Sequence, residues 1–146
     1  MKLQVSTRIA ILALLDLAAQ PERQLSVSEI GDRYGVSSHH LAKVMHVLGR
    51  AGLVKSVRGV GGGYLFNGNT RRTTLLDVIQ LFEEWGSSDG HSAIDLRTDE
   101  GRALREVLAE LDDITQATLG SITIGTMLKL ADRRKGKAKQ VASDER

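Results

Sequence analysis

Between Ser26 and Phe66 the spacing of apolar residues changes from that of a helix to that of a strand, and each boundary carries its own start or stop residue. No other segment limits the fold as strongly. Ser26-Val27-Ser28-Glu29 has the form of a capping box, in which the serine hydroxyl accepts from the Glu29 amide while the Glu29 side chain reaches back. The helix it opens is predicted to end near Tyr34, where Gly35 suits the left-handed position that closes a helix. Ser37 then caps a second helix running to about Arg50, with Leu41, Val44, Met45 and Leu48 on one face and Gly52 just beyond its end. Leu53–Arg58 alternates apolar and polar as a strand does, and Tyr64-Leu65-Phe66 makes a second short strand. The intervening Gly59-Val60-Gly61-Gly62-Gly63 is a loop whose backbone takes positive φ freely. A short helix, a tight turn, a second helix and a glycine-tipped ribbon make a winged helix-turn-helix over residues 26–66, with the helix pair at 26–51 and the wing at 53–66.

In such a unit the first helix braces the second, so that the N-terminal part of the second enters a major groove. That end reads Ser38-His39-His40-Leu41-Ala42-Lys43. Leu41 and Val44 point inward, which leaves Ser38, His39, His40, Lys43 and His46 to face outward, where they can meet base edges and phosphates. Arg58 stands at the base of the wing, and the tip is poor enough in side chains to approach a phosphate or minor groove closely. The bland counterpart is a helical hairpin beside a ribbon with no ligand, which leaves the conjunction of cap, turn, amphipathic helix and basic glycine wing without a reason. As a nucleotide site the loop fails. Gly59–Tyr64 matches neither the P-loop nor the dinucleotide-binding pattern, and it lies between two strands.

Around this unit the rest of the chain reads as helices. Ser6 or Thr7 caps a first helix to about Ala19, with Ile9, Ile11, Leu12, Leu14 and Leu15 on the expected buried face, and Pro21, the only proline, follows it. Thr74 caps a helix from Leu75 to about Trp85, with Leu76, Val78, Ile79 and Phe82 inward. Residues 86–98 are polar and without period, a loop. A long helix runs from Asp99 or Gly101 to about Leu119, and Leu104, Leu108, Leu111, Ile114 or Thr115 and Thr118 form a seam close to heptad spacing. Thr123 caps a last short helix through Leu130, and the basic stretch 133–146 reads as a disordered tail. The expected organisation is a DNA-binding domain at 1–85, a loop at 86–98, dimerisation helices at 99–132 and the tail. The fold class is mainly α with a small β-ribbon.

Charge divides along the same lines. Residues 1–74 hold 10 lysines and arginines against 4 acidic residues, 75–132 hold 4 against 12, and 133–146 hold 6 against 2, so a net charge of +2 conceals segments of +6, −8 and +4. That is either ordinary patchiness or a basic surface turned toward a polyanion, and charge alone does not decide between them.

Several chemistries are excluded. There is no cysteine, hence no disulfide, thiolate metal site or cysteine nucleophile. His39 and His40 project about 100° apart on a helix and neither lies three or four residues from His46, so no metal site is expected; His91, near Asp89 and Asp95, reads as a solvated loop residue. No catalytic set is visible, so the chain is not expected to be an enzyme. Aromatic residues make up 3%, too few for a reader that stacks single-stranded bases. No apolar stretch reaches the length of a membrane span and no signal peptide opens the chain, which predicts a cytoplasmic protein with no membrane association.

Met1-Lys2-Leu3 before a helix, Ile30, Tyr34-Gly35-Val36-Ser37, Leu41, Lys43-Val44, Arg50-Ala51-Gly52-Leu53-Val54, Ser56-Val57-Arg58-Gly59 and Gly62-Gly63-Tyr64-Leu65 together resemble the Rrf family of bacterial winged-helix transcriptional regulators, the family of IscR and NsrR. Thr74, Asp77-Val78-Ile79, Ile122-Thr123-Ile124 and Leu128 extend the resemblance to about residue 130. It implies a repressor that is a homodimer, crossing on the long helix through Leu104, Leu108, Leu111 and Ile114, and bound to a palindromic double-stranded DNA operator. It places Ser38, His39, His40 and Lys43 at the major groove and Arg58 to Gly61 at the minor groove; with Arg50 and Gly62 added, the candidate DNA-binding set is Ser38, His39, His40, Lys43, Arg50, Arg58, Gly59, Gly61 and Gly62. Sensing members of the family carry three cysteines in the loop after the fourth helix, and some add an acidic residue early in the first helix. Here that loop has no cysteine and the early position is Arg8, so the chain resembles the cluster-free branch, with a small-molecule effector, a protein effector or none, and no cofactor. The reading from another class is a protein-interaction module that kept the winged fold and lost DNA binding; Lys43, Arg58 and the +6 half speak against it.

Overall fold

A computed structural model describes residues 1–84 and 96–145. The expectations for Trp85 and for residues 86–95, His91 included, lie outside the described residues. In chain order the elements are α1 (Val5–Ala19), α2 (Val27–Tyr34), α3 (Ser38–Arg50), β1 (Val54–Val57), β2 (Gly63–Phe66), α4 (Leu75–Ile79), α5 (Asp99–Ser121) and α6 (Ile124–Asp144). The fold is a winged helix-turn-helix followed by two long helices. Among the described residues no helix is long and apolar enough to cross a membrane.

The strands pair antiparallel, Val54 opposite Phe66 and Val57 opposite Gly63. Leu25, just before α2, adds a bridge by exchanging amide–carbonyl bonds with Tyr64 at 3.1 and 2.9 Å, which ties the wing to the start of the helix pair. Gly63 is required by this approach, since a Cβ there would lie 2.5 Å from the Leu25 carbonyl oxygen. The core is one cluster: Ile9, Ala10, Ala13, Leu14, Leu17 and Ala18 of α1, Ile30 of α2, Leu41, Val44, Met45 and Leu48 of α3, with Val54, Val78 and Ile124 closing it. The turn between α5 and α6 is stitched to the start of α4, Leu75 donating to the Ile122 carbonyl at 2.8 Å and Ile124 to the Thr73 carbonyl at 2.9 Å.

Four local expectations are corrected. First, the buried face of α1 is Thr7, Ile9, Ala10, Ala13, Leu14, Leu17 and Ala18, while Leu12 is exposed and Ile11 and Leu15 are only half-buried. The helix is apolar almost all round, so periodicity selects no single stripe, and the small Ala10 and Ala13 mark the contact side. Second, the N-cap of α1 is Gln4, without a side-chain cap of its own, and both Ser6 and Thr7 lie inside the helix. Third, α4 ends at Ile79, after which i→i−3 bonds from Leu81 to Val78 and from Phe82 to Ile79 tighten the chain into turns. Fourth, the stretch expected to be a disordered tail continues α6 as helix to Asp144. The first turns of α6 are anchored by the fully buried Ile124, so nucleation is already met and each further Ala, Lys, Arg or Gln adds at propagation cost only.

Candidate nucleic-acid interface

The local chemistry expected of the helix pair is present. Ser26 Oγ accepts from the Glu29 amide at 3.1 Å while Glu29 accepts from the Ser26 amide at 2.8 Å. Gly35 closes α2 at φ +66°, and Ser37 Oγ accepts from the His40 amide at 3.2 Å to start α3. Between these caps the turn is close: Val36 donates to the Gly31 carbonyl at 2.9 Å, and a Cβ at Gly31 would stand 2.6 Å from the Val36 oxygen. The bracing helix is held to α1 by charge as well as by apolar contact. Tyr34 donates to Asp16 Oδ1 at 2.7 Å and Arg33 Nη1 lies 3.2 Å from the same oxygen. Burial, and then the hydrogen bond to Asp16, push the Tyr34 phenol up to about 12.

With Leu41, Val44, Met45 and Leu48 buried, α3 turns Ser38, His39, Lys43, His46 and Arg50 to solvent. His40 differs from its neighbour. It is half-buried, and its ring Nε2 lies 3.0 Å from Ser6 Oγ of α1. His46 and Arg50 line a shallow groove together with Ser56 and Tyr64 of the ribbon, so the helix and the wing share a face. At the wing Arg58 is exposed, Gly59 and Gly61 take φ of +110° and +75°, and Gly62 donates to the Gly59 carbonyl at 2.9 Å. A Cβ at Gly62 would lie 2.6 Å from the Val57 oxygen, so the turn excludes a side chain there. Between the glycines Val60 is fully exposed at the tip. Val60, an apolar residue flanked by glycines, and Ser6, marked in the sequence only as a possible helix cap, fall outside the expected DNA-facing set.

Electrostatics follow one sign. From Arg33 to Leu76 there are seven lysines and arginines and no acidic residue. Among the described residues Lys43, Arg50 and Arg58 have no ion-pair partner, which leaves their charge available to a polyanion. Away from this face, α5 buries only Leu119 and leaves Leu104, Val107, Leu108, Leu111 and Ile114 about half-exposed along one helix. Val107 widens the seam beyond heptad spacing.

Residues 3–130 match the Rrf2 family, described as an iron-dependent transcriptional regulator. The chain is similar to the HTH-type transcriptional regulator BadM of Rhodopseudomonas palustris, with 47% identity over 140 residues, 96% of this chain and 89% of that one. Among solved structures it is similar to T. potens IscR, at 31% identity and a TM-score of 0.71 over 90% of this chain and 88% of that one. It is also similar to CymR, the global cysteine regulator of B. subtilis, at 27% identity and a TM-score of 0.72 over 89% and 98%. The iron of the family description finds no thiolate here. The chain has no cysteine, and among the described residues no three His, Asp or Glu side chains converge, so the donor set of a cysteine-held iron–sulfur cluster is missing.

Proposed function

Because the chain belongs to the Rrf2 family of transcriptional regulators, we propose that it binds a palindromic double-stranded DNA operator as a homodimer and represses by occupying promoter DNA, without an iron–sulfur cluster. The observation that carries this reading is the shared face of α3 and the wing: unpaired Lys43, Arg50 and Arg58, exposed Ser38 and His39, and no acidic residue between Arg33 and Leu76. In this reading residues 1–85 are the DNA-binding domain and 99–132 the dimerisation helices. Ser38, His39, His40 and Lys43 meet the major groove, Arg50 a phosphate, and Arg58, Gly59, Gly61 and Gly62 the minor groove. His39 is exposed, whereas His40 has its Nε2 engaged with Ser6 and only Nδ1 left for a base edge. The half-exposed seam Leu104, Leu108, Leu111 and Ile114 supports the dimer, since a two-fold mate would cover the same apolar stripe on both protomers. Control comes from a small-molecule or protein effector, or from DNA occupancy alone.

Selection of genomic duplex fragments by the purified protein tests this. The expected result is enrichment of one inverted repeat whose half-sites lie about 10 base pairs or a multiple of that apart. Enrichment no better than for random duplex would overturn it and favour a protein-interaction module.

A further inference from the structure

The first turn of α1 lies outside the helix-turn-helix, yet its polar groups connect to the DNA-facing end of α3. Glu83, in the turn after α4, accepts at a single oxygen, Oε1, from the Gln4 amide at 2.7 Å and from the Thr7 hydroxyl at 2.6 Å. Thr7 is fully buried, and α1 has no side-chain cap of its own, so this carboxylate from a distant part of the chain serves as the cap and favourable charge at the helix start. These two hydrogen bonds, the Thr7 hydroxyl first, hold the Glu83 carboxyl below the usual carboxylate range. Ser6 sits between the two anchored residues, and its hydroxyl lies 3.0 Å from His40 Nε2.

His40 is the third residue of α3, and its backbone amide already serves the Ser37 cap. Its ring therefore has one nitrogen committed to α1, and among the described residues Nδ1 has no protein partner. In a neutral imidazole one nitrogen donates and the other accepts. If the Ser6 hydroxyl donates to Nε2, Nδ1 carries the proton and offers a donor; if Ser6 accepts, Nδ1 offers an acceptor. A guanine edge in the major groove presents acceptors where a cytosine presents a donor, so that single choice changes which base pair is favoured.

We propose that Ser6 is a positioning residue for DNA reading, fixing the orientation and tautomer of His40, with Glu83 holding Ser6 in place through Gln4 and Thr7. The inference rests on α3 being the helix that reads DNA. It makes two residues outside the helix-turn-helix determinants of operator preference.

The test uses the full chain with ¹⁵N-labelled histidine. Long-range ¹⁵N–¹H spectra of the free protein are expected to show one His40 tautomer in the wild type and in Ser6→Thr, which keeps the hydroxyl, and a mixture in Ser6→Ala. Glu83→Gln is expected to shift the same ring signals. Against a set of single-base variants of the selected operator, Ser6→Ala is expected to lower discrimination roughly five- to tenfold at one position per half-site, with random-duplex binding unchanged and Ser6→Thr restoring the profile. Ser6→Ala added to His40→Ala is expected to change nothing further. Identical ring spectra in the wild type and Ser6→Ala, or an equal loss at every operator position, would overturn the proposal. A wild-type protein that selects no duplex sequence overturns the DNA reading itself. In that case the ring spectra still report separately whether Ser6 holds His40.

Discussion

Two glycines in the helix pair are expected to respond to alanine with opposite sign. In a helix interior alanine is favoured over glycine by about 0.5–1 kcal/mol, because glycine loses more backbone freedom on folding. At Gly49, in the last turn of α3, up to that gain is available, since a Cβ there meets only Val54 Cγ2 at 3.9 Å, an ordinary contact. At Gly31 of α2 the same Cβ stands 2.6 Å from the Val36 carbonyl oxygen, on backbone that cannot swing aside as a side chain would. Relief requires moving the turn between α2 and α3, which strains a close-packed junction by about 1–3 kcal/mol. It also lengthens the 2.9 Å bond from the Val36 amide to the Gly31 carbonyl, worth about 1 kcal/mol. Set against the propensity gain, Gly31→Ala loses about 1–3 kcal/mol. At roughly 2–4 °C per kcal/mol for a chain of this size, that lowers the melting temperature by about 2–12 °C, whereas Gly49→Ala raises it by up to about 4 °C. Thermal unfolding at one fixed protein concentration reads both. A Gly31→Ala protein more stable than wild type would refute the assignment of that contact as the one that sets the turn.

Leu111→Asp places two like charges on the half-exposed seam of α5 and is expected to weaken self-association on the order of a hundredfold, read by sedimentation; an unchanged dimer would move the interface elsewhere. Arg58→Ala is expected to weaken binding to many duplex sequences alike and to lower the salt slope by about one unit per lost phosphate contact, so a loss confined to one base position refutes a sequence-independent contact with phosphate or a narrow minor groove. Because the Tyr34 phenol is raised from 10.0 to about 12, its neutral form is favoured in the folded protein. The stability this contributes is present below pH 10 and is lost as pH rises toward 12, a slope that urea titrations should show in the wild type and not in Tyr34→Phe. Anaerobic reconstitution with iron and sulfide is expected to leave the protein without stoichiometric cluster absorbance; a cluster bound one to one would demand donors other than cysteine.

The helix pair and wing were legible because each of their signals is local. A capping box needs only Ser26 and Glu29, a helix stop only Gly35, and the inward face of α3 only the spacing of Leu41, Val44, Met45 and Leu48. Periodicity misled on α1, where nearly every residue is apolar, and the missing periodicity after Leu130 concealed a helix sustained by intrinsic propensity from an anchored start. Chain separation limited the rest. Ser6 and His40 are 34 residues apart, Thr7 and Glu83 are 76, and a hydroxyl, an imidazole and a carboxylate have no spacing rule that announces their meeting. The need for glycine at 31 and 63 likewise comes from carbonyls of other segments, Val36 and Leu25, that only the closed fold brings within 2.6 Å of the missing Cβ. Sequence determined which elements form, because caps and hydrophobic period act over one or two helical turns. Tertiary structure decided which polar groups those elements share, because a buried hydroxyl or carboxylate must find its partner wherever the packed core places one.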